Sequence, residues 1–298
     1  MGYIYAKGGR YTDLADALEG IEVYDSDMNR WDLLQFLTGD RISGGRMAAH
    51  GDKLYVMSYD REEGPLFAEV YCCRRNTWTS IAPMQHRRME TGTASLGEYL
   101  YVCGGFHDST TLDTVERYSP ERNQWEEVEP MTRKREDAGV EAFRGCIYVL
   151  GGHGKPDGPI LDSVERFDPR TESWREATPM LSRRCMHGAA VLNGKLYACG
   201  GFAYENNVCG TLGSVEVYDP VADRWQFVAP MNERRGGLAL VANAGKLWAI
   251  GGSNDSGYRA TVEVYDPEAD SWSFDVPLST VKGGIQAAVI ADELGFTS

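Results

Sequence analysis

Residues 188–231 read GAAVLNGKLYACGGFAYENNVCGTLGSVEVYDPVADRWQFVAPM, and this stretch contains four short strands. Gly188 to Leu192 reads as strand a, and Lys195 to Gly201 as strand b, an apolar run ending in a glycine pair. Ser214 to Tyr218 alternates its side chains as strand c, and Arg224 to Val228 follows as strand d. Asp219-Pro220 sets the turn between c and d, because proline presets the turn dihedral and aspartate can bond its own backbone. The glycines allow backbone to approach closely where a side chain would clash. Tyr218 and Trp225, seven residues apart, supply large apolar area for packing against neighbouring sheets.

The same text recurs along the chain. Trp31, Trp78, Trp125, Trp174, Trp225 and Trp272 stand 47, 47, 49, 51 and 47 residues apart. Seven residues before each lies Tyr24, Tyr71, Tyr118, Phe167, Tyr218 or Tyr265. Glycine pairs stand upstream at Gly8-Gly9, Gly104-Gly105, Gly151-Gly152, Gly200-Gly201 and Gly251-Gly252, with Ser58-Tyr59 in that place in the second repeat. A four-stranded unit of about 50 residues repeated around a ring describes a propeller. The fold class predicted is all-β, a six-bladed β-propeller of four antiparallel strands per blade, filling residues 1–298 as one domain.

The order Gly-Gly, Tyr, Trp, then Pro-Met and an Arg-rich turn resembles the kelch repeat. The third to sixth units match well. The second lacks its glycine pair, and the first has Phe36-Leu37 where Pro-Met is expected. The blades are read as 1–37 plus 285–292, then 44–84, 91–131, 138–180, 187–231 and 237–278. The split first blade follows from residues 285–291, which copy the strand-a text of the fifth unit, while the chain opens directly on strand b at Tyr3-Ile4-Tyr5. The C-terminus is therefore expected to donate strand a to the N-terminal blade, leaving no open edge between first and last blades.

Composition narrows the function classes. A formal net charge of −14 argues against nucleic acid and anionic membranes, which recruit basic surfaces. No run approaches the roughly 18 apolar residues needed to cross a bilayer. Seven scattered cysteines without a C-x-x-C spacing argue against zinc or a redox motif and fit reduced thiols in the cytosol or nucleus. No cofactor and no metal site is read from the sequence.

Length variation locates the variable surface. Only the interval from glycine pair to aromatic changes, running 15, 12, 13, 15, 17 and 13 residues, so the b–c loops hold the insertions. In an antiparallel meander the d–a connections emerge on the same face. Those connections carry eleven of the thirty basic residues, ten of them in two columns. The first column is Arg41, Arg87, Lys134, Arg183 and Arg234, read as divided between tying blades together and contacting ligand. The second is Arg88, Arg135, Arg184, Arg235 and Lys282, read as facing a ligand. Acidic residues of the b–c loops, among them Asp60, Asp108, Asp157, Glu205 and Asp255, could partly neutralise that ring. The peptide-binding set expected is Arg10, Arg41, Arg88, His107, Arg135, His153, Arg184, Tyr204, Arg235 and Tyr258. The aromatic members serve as anchors or lie flat on neighbouring loops, as do Tyr11, Phe106 and Phe202. Cys185, beside two arginines that could depress its pKa, and Cys209 are the candidate reactive thiols.

The chain also looks like the C-terminal domain of BTB–BACK–kelch proteins, substrate receptors of cullin-RING ubiquitin ligases. That resemblance implies a non-enzymatic domain binding a short acidic segment of a substrate protein on the loop face. Cullin contact would run only through BTB and BACK parts, for which this chain leaves no room, and the location implied is cytoplasmic or also nuclear. Rival readings are an actin-binding scaffold and a mutarotase-like enzyme, the latter using Glu90, Glu136 or Asp137 beside arginines. Six blades and five scattered histidines argue against the copper site of galactose oxidase-like propellers, and the iron motif Glu-x-x-x-Asp-x-x-x-His is absent.

Overall fold

The structure, a computed structural model, describes residues 2–8, 20–34, 46–59, 66–154, 158–205 and 208–291. Among them there is no helix, and six four-stranded antiparallel sheets form the six blades of a propeller. Strand a of each blade lies innermost and strand d outermost. In blade 5 these are Gly188–Leu192, Lys195–Cys199, Val215–Asp219 and Arg224–Val228. The remaining strands a are Arg46–His50, Gly92–Leu96, Gly139–Phe143 and Ala239–Asn243, plus the C-terminal Gln286–Ala291 in blade 1.

Ring closure follows the expected route. Gln286–Ala291 pairs along its whole length with strand b of blade 1, Gly2–Lys7, from Gly2↔Ala291 to Lys7↔Gln286. Strands c and d of that blade are Ile21–Asp25 and Arg30–Leu34. Asn243 of blade 6 holds the joint from outside: its amide donates to the Gly2 carbonyl at 2.9 Å.

The repeated aromatics join one blade to the next. The indole N–H of Trp125, Trp174, Trp225 and Trp272 donates to a backbone carbonyl of the preceding blade, Ala82, Glu129, Thr178 and Ala229, at 2.7 to 2.9 Å. Trp31 does the same to Val276 of blade 6 across the closure, at 3.1 Å. A buried indole needs such a partner, so each Trp supplies both apolar area and register between sheets. The tyrosines brace the c–d turns instead. The hydroxyls of Tyr24, Tyr71, Tyr118, Tyr218 and Tyr265 donate to the turn residue five positions on (Asn29, Asn76, Asn123, Asp223, Asp270), which has positive φ in every case.

Blade 2 shows what the glycine pair does. Gly200 and Gly201 have φ of 63° and 97°, and a Cβ on Gly200 would lie 2.4 Å from the Arg235 carbonyl of the next connection. The pair ends strand b and lets the neighbouring blade close in. Blade 2 has Ser58-Tyr59 there, and its strands b and c run on as Lys53–Tyr59 and Leu66–Cys72, paired through Tyr59↔Leu66.

Candidate functional site

The b–c loops and d–a connections share one end of the ring. Two-stranded hairpins extend the b–c loops of blade 3 (Phe106–His107 with Thr110–Thr111), blade 5 (Phe202–Glu205 with Val208–Thr211) and blade 6 (Ser253–Asn254 with Gly257–Tyr258). Each is stitched to its own d–a connection by a bridge, Met89↔Phe106, Cys185↔Phe202 and Gly236↔Ser253.

The second basic column does not face a ligand. Arg88, Arg135, Arg184 and Arg235 are all buried, Arg184 and Arg235 at 0% exposure. Each guanidinium enters its own blade and pairs with a glutamate on strand c: Arg88–Glu116, Arg135–Glu165, Arg184–Glu216 and Arg235–Glu263, at 2.7 to 2.9 Å. Nη1 of each donates to two backbone carbonyls, in blade 5 those of Gly200 at 2.8 Å and Ser214 at 3.0 Å. The second carboxylate oxygen accepts a backbone N–H from the d–a connection, for Glu216 that of Leu181 at 2.6 Å. Lys282 and Glu22 repeat the arrangement in blade 1 at 2.8 Å, with Ser279 N–H on Glu22 at 2.8 Å. The expectation that these arginines contact a ligand is thus corrected. A buried charge must be paired and hydrogen-bonded, and here every guanidinium is spent inside the blade.

The glutamates completing these clamps were missed. Glu22, Glu116, Glu165, Glu216 and Glu263 stand two residues before the blade's aromatic, as Glu69 does in blade 2, a column visible in the sequence. Strand alternation gave no reason to bury them, because in a propeller both faces of a sheet are covered.

The first column is the outward one. Lys134, Arg183 and Arg234 are exposed and Arg87 is half-buried. Arg183 lies 3.7 Å from Asp162. Arg10 and Arg41 lie outside the described residues, as does Tyr11.

The aromatic candidates divide. Tyr258 lies on Gly283, where a Cβ would meet its ring at 2.2 Å, and Phe202 covers Gly236 in the same way. Both rings therefore pack on the next connection. His107 is partly exposed, with Nε2 3.3 Å from Asp108. His153 bridges to Glu136 and its ring stands 6.5 Å from that of Tyr204. Tyr204 is 54% exposed, and Val208 beside it on the blade 5 hairpin is 69% exposed. Cys185 is buried, and burial pushes its thiol well above the ordinary range. This corrects its reading as an activated thiol, since Arg184 turns away to Glu216. Cys209 is exposed on the same hairpin.

Nearer the axis, backbone hydrogen bonds link successive connections. The N–H of Asp137 donates to Glu90 O, Met186 to Asp137, Gly237 to Met186 and Ile285 to Gly237, at 2.8 to 3.0 Å. Glu90, Asp137 and Met186 have φ of 58°, 52° and 51°, a conformation held by this ring around the channel mouth. Arg46 reaches Asp137 at 3.8 Å across it.

Six sheets present variable loops at one end of the ring, the kind of scaffolded loop surface on which binding residues are commonly carried. The comparisons give the family. Residues 2–201 match the KLHDC2/KLHL20/DRC7 Kelch-repeats domain, and 183–232 and 234–279 match the Kelch motif. The chain belongs to the kelch-repeat family. Among curated proteins it is similar to human Kelch-like protein 23, 32% identical over 102 residues, or 34% of this chain and 17% of that protein. Kelch-like protein 25 of Xenopus tropicalis is 32% identical over 106 residues, and Kelch-like protein 26 of mouse 35% over 108, each covering 35% of this chain and 18% of the relative. The matched stretch thus spans less than a fifth of these relatives.

Proposed function

We propose that this propeller is a protein-recognition domain that binds a segment of a partner on the b–c/d–a face. We read it as the substrate receptor part of a cullin-RING ubiquitin ligase adaptor. The reading rests on the blade 5 hairpin. Tyr204 and Val208 expose apolar surface there, and the Cys185↔Phe202 bridge together with the Phe202 ring on Gly236 sets the hairpin between connections carrying the outward Arg183 and Arg234. Exposed ion pairs contribute only about 0 to 1 kcal/mol each, so affinity would come from desolvating the aromatic, and the arginines would select an acidic neighbour. The cullin role is carried over from the family resemblance and the likeness to Kelch-like proteins.

The test is capture of partners from lysate by the native chain and by Tyr204→Ala combined with Arg183→Glu and Arg234→Glu. Partners bound by the native chain should be lost from the triple variant. Equal capture by both would move the recognition surface elsewhere.

A further inference from the structure

The grooves between successive blades are built from equivalent positions, so each can be read against the next. Strand d is outermost, and its tryptophan turns to the preceding blade. Side chains alternate along a strand, so the residue two positions beyond that tryptophan faces the same groove. Between blades 3 and 4 this residue is Glu176, held at 2.9 Å by Arg133 of the d–a connection. On the facing wall of blade 3, Arg117 and Glu126 pair at 2.6 Å, and Arg117 reaches Glu172 of blade 4 at 3.5 Å. The groove between blades 2 and 3 has a similar rim latch, His86 with Glu127 at 3.3 Å.

Between blades 4 and 5 these partners are exchanged. Phe227 stands in the place of Glu176, Ser182 in that of Arg133, and Leu181 precedes it. The Leu181 N–H is held by Glu216, whose register partner on strand d is Phe227, which sets Leu181 beside Phe227 at the rim. In two sister connections the side chain at the Leu181 position lies on the following strand d: Gln85 donates to Trp125 O at 2.8 Å and Asn232 to Trp272 O at 3.1 Å. Leu181 is 55% exposed and Phe227 56%, so no part of the chain covers the pair. On the facing wall Arg175 replaces Glu126 and lies directly opposite Arg166 of strand c. Both arginines are exposed, and neither forms an ion pair among the described residues. The Asp223 carboxyl of blade 5 is held below its ordinary range by hydrogen bonds from Thr178 and Tyr218 and by the charge of Arg166, so this arginine faces blade 5. Like charges directly opposite on neighbouring strands are destabilising, and an anion between them removes that cost. Phe274 and Leu33 repeat the apolar rim in the next two grooves, but there Gln226 and Ser273 take the place of Arg175.

We infer that the groove between blades 4 and 5 is a second docking site, taking an extended acidic segment of another protein that carries one large apolar side chain. The apolar side chain seats on Leu181 and Phe227, and carboxylates meet Arg175 and Arg166 lower on the wall. Desolvating the apolar pair supplies most of the affinity, and the arginines select the acidic neighbours. A second copy of this chain is a poor occupant, since two molecules of net charge −14 repel. The groove goes beyond the proposed recognition face and does not require the blade 5 hairpin to bind.

The experiment selects displayed random peptides on the native chain after depletion on Leu181→Ser combined with Phe227→Gln, then measures the survivors by fluorescence polarisation. Survivors should combine Asp or Glu with Leu, Phe or Trp. Their affinity should fall at least tenfold in Arg166→Glu combined with Arg175→Glu, and it should weaken as salt rises. All four side chains are exposed, so both double variants should unfold at the native temperature. Should either lose its fold, Phe227→Gln and Arg175→Gln singly should each weaken the peptides at least threefold. Tyr204→Ala should bind them as tightly as the native chain, which separates this groove from the loop face. An empty selection, survivors without carboxylates, or equal binding after the arginine reversal would each overturn the inference. Loss in Tyr204→Ala with retention in the arginine variant would overturn it too, leaving only the loop face. Self-association of the native chain that Phe227→Gln abolishes would give the groove to a second copy, and the inference would fall.

Discussion

Arg183 and Arg184 are neighbours in one connection, yet one is exposed and the other reaches no solvent at all. The pattern repeats at Lys134 and Arg135 and at Arg234 and Arg235. Residue type cannot separate the two columns. What separates them is a glutamate about thirty residues downstream, brought beneath the second column by strand c. The inner arginine joins the d–a connection, the glycine pair and strand c of one blade into a unit. The outer one is left to solvent.

The comparison breaks most readily at the buried column. Arg184→Ala leaves Glu216 buried with only a backbone donor, and removal of one partner of such a pair costs about 3–5 kcal/mol. Urea unfolding should show a loss of that size, and an unchanged midpoint would remove the clamp from the account. The contrast can be sharpened with a buried imidazole. Burial, with Arg184 nearby, lowers the pKa of His187 to about 3. Above pH 6.5 it is neutral folded or unfolded and contributes nothing. As pH falls from 6.5 towards 3 the unfolded chain takes up the proton first, so stability is lost. At pH 5.5 that loss is about 1.4 kcal/mol, and His187→Gln should flatten this limb of the stability–pH curve. The smallest effect belongs to the outer column. Arg183→Ala with Arg234→Ala should shift stability by no more than about 0.5 kcal/mol. A larger loss in the same unfolding assay would show that both columns tie the blades.

The ring was legible because its marks are covalent and periodic. Trp225 and its counterparts, seven residues beyond an aromatic, keep their spacing whatever the loops do, and the text of residues 285–291 announced the closure. The site was less legible, since the arginines were visible but the acceptors that bury them belong to another strand. Tyr258 and Phe202 were equally ambiguous, for their rings rest on Gly283 and Gly236, glycines whose use appears only when two blades meet.

Pairing Gly2–Lys7 with Gln286–Ala291 has a consequence for biosynthesis. A chain emerging from the ribosome exposes its first strand long before the partner strand is made. Throughout translation that strand is an apolar edge open to other nascent chains. The last strand therefore acts as a timer on the whole ring: five blades can be complete while the first still waits for it.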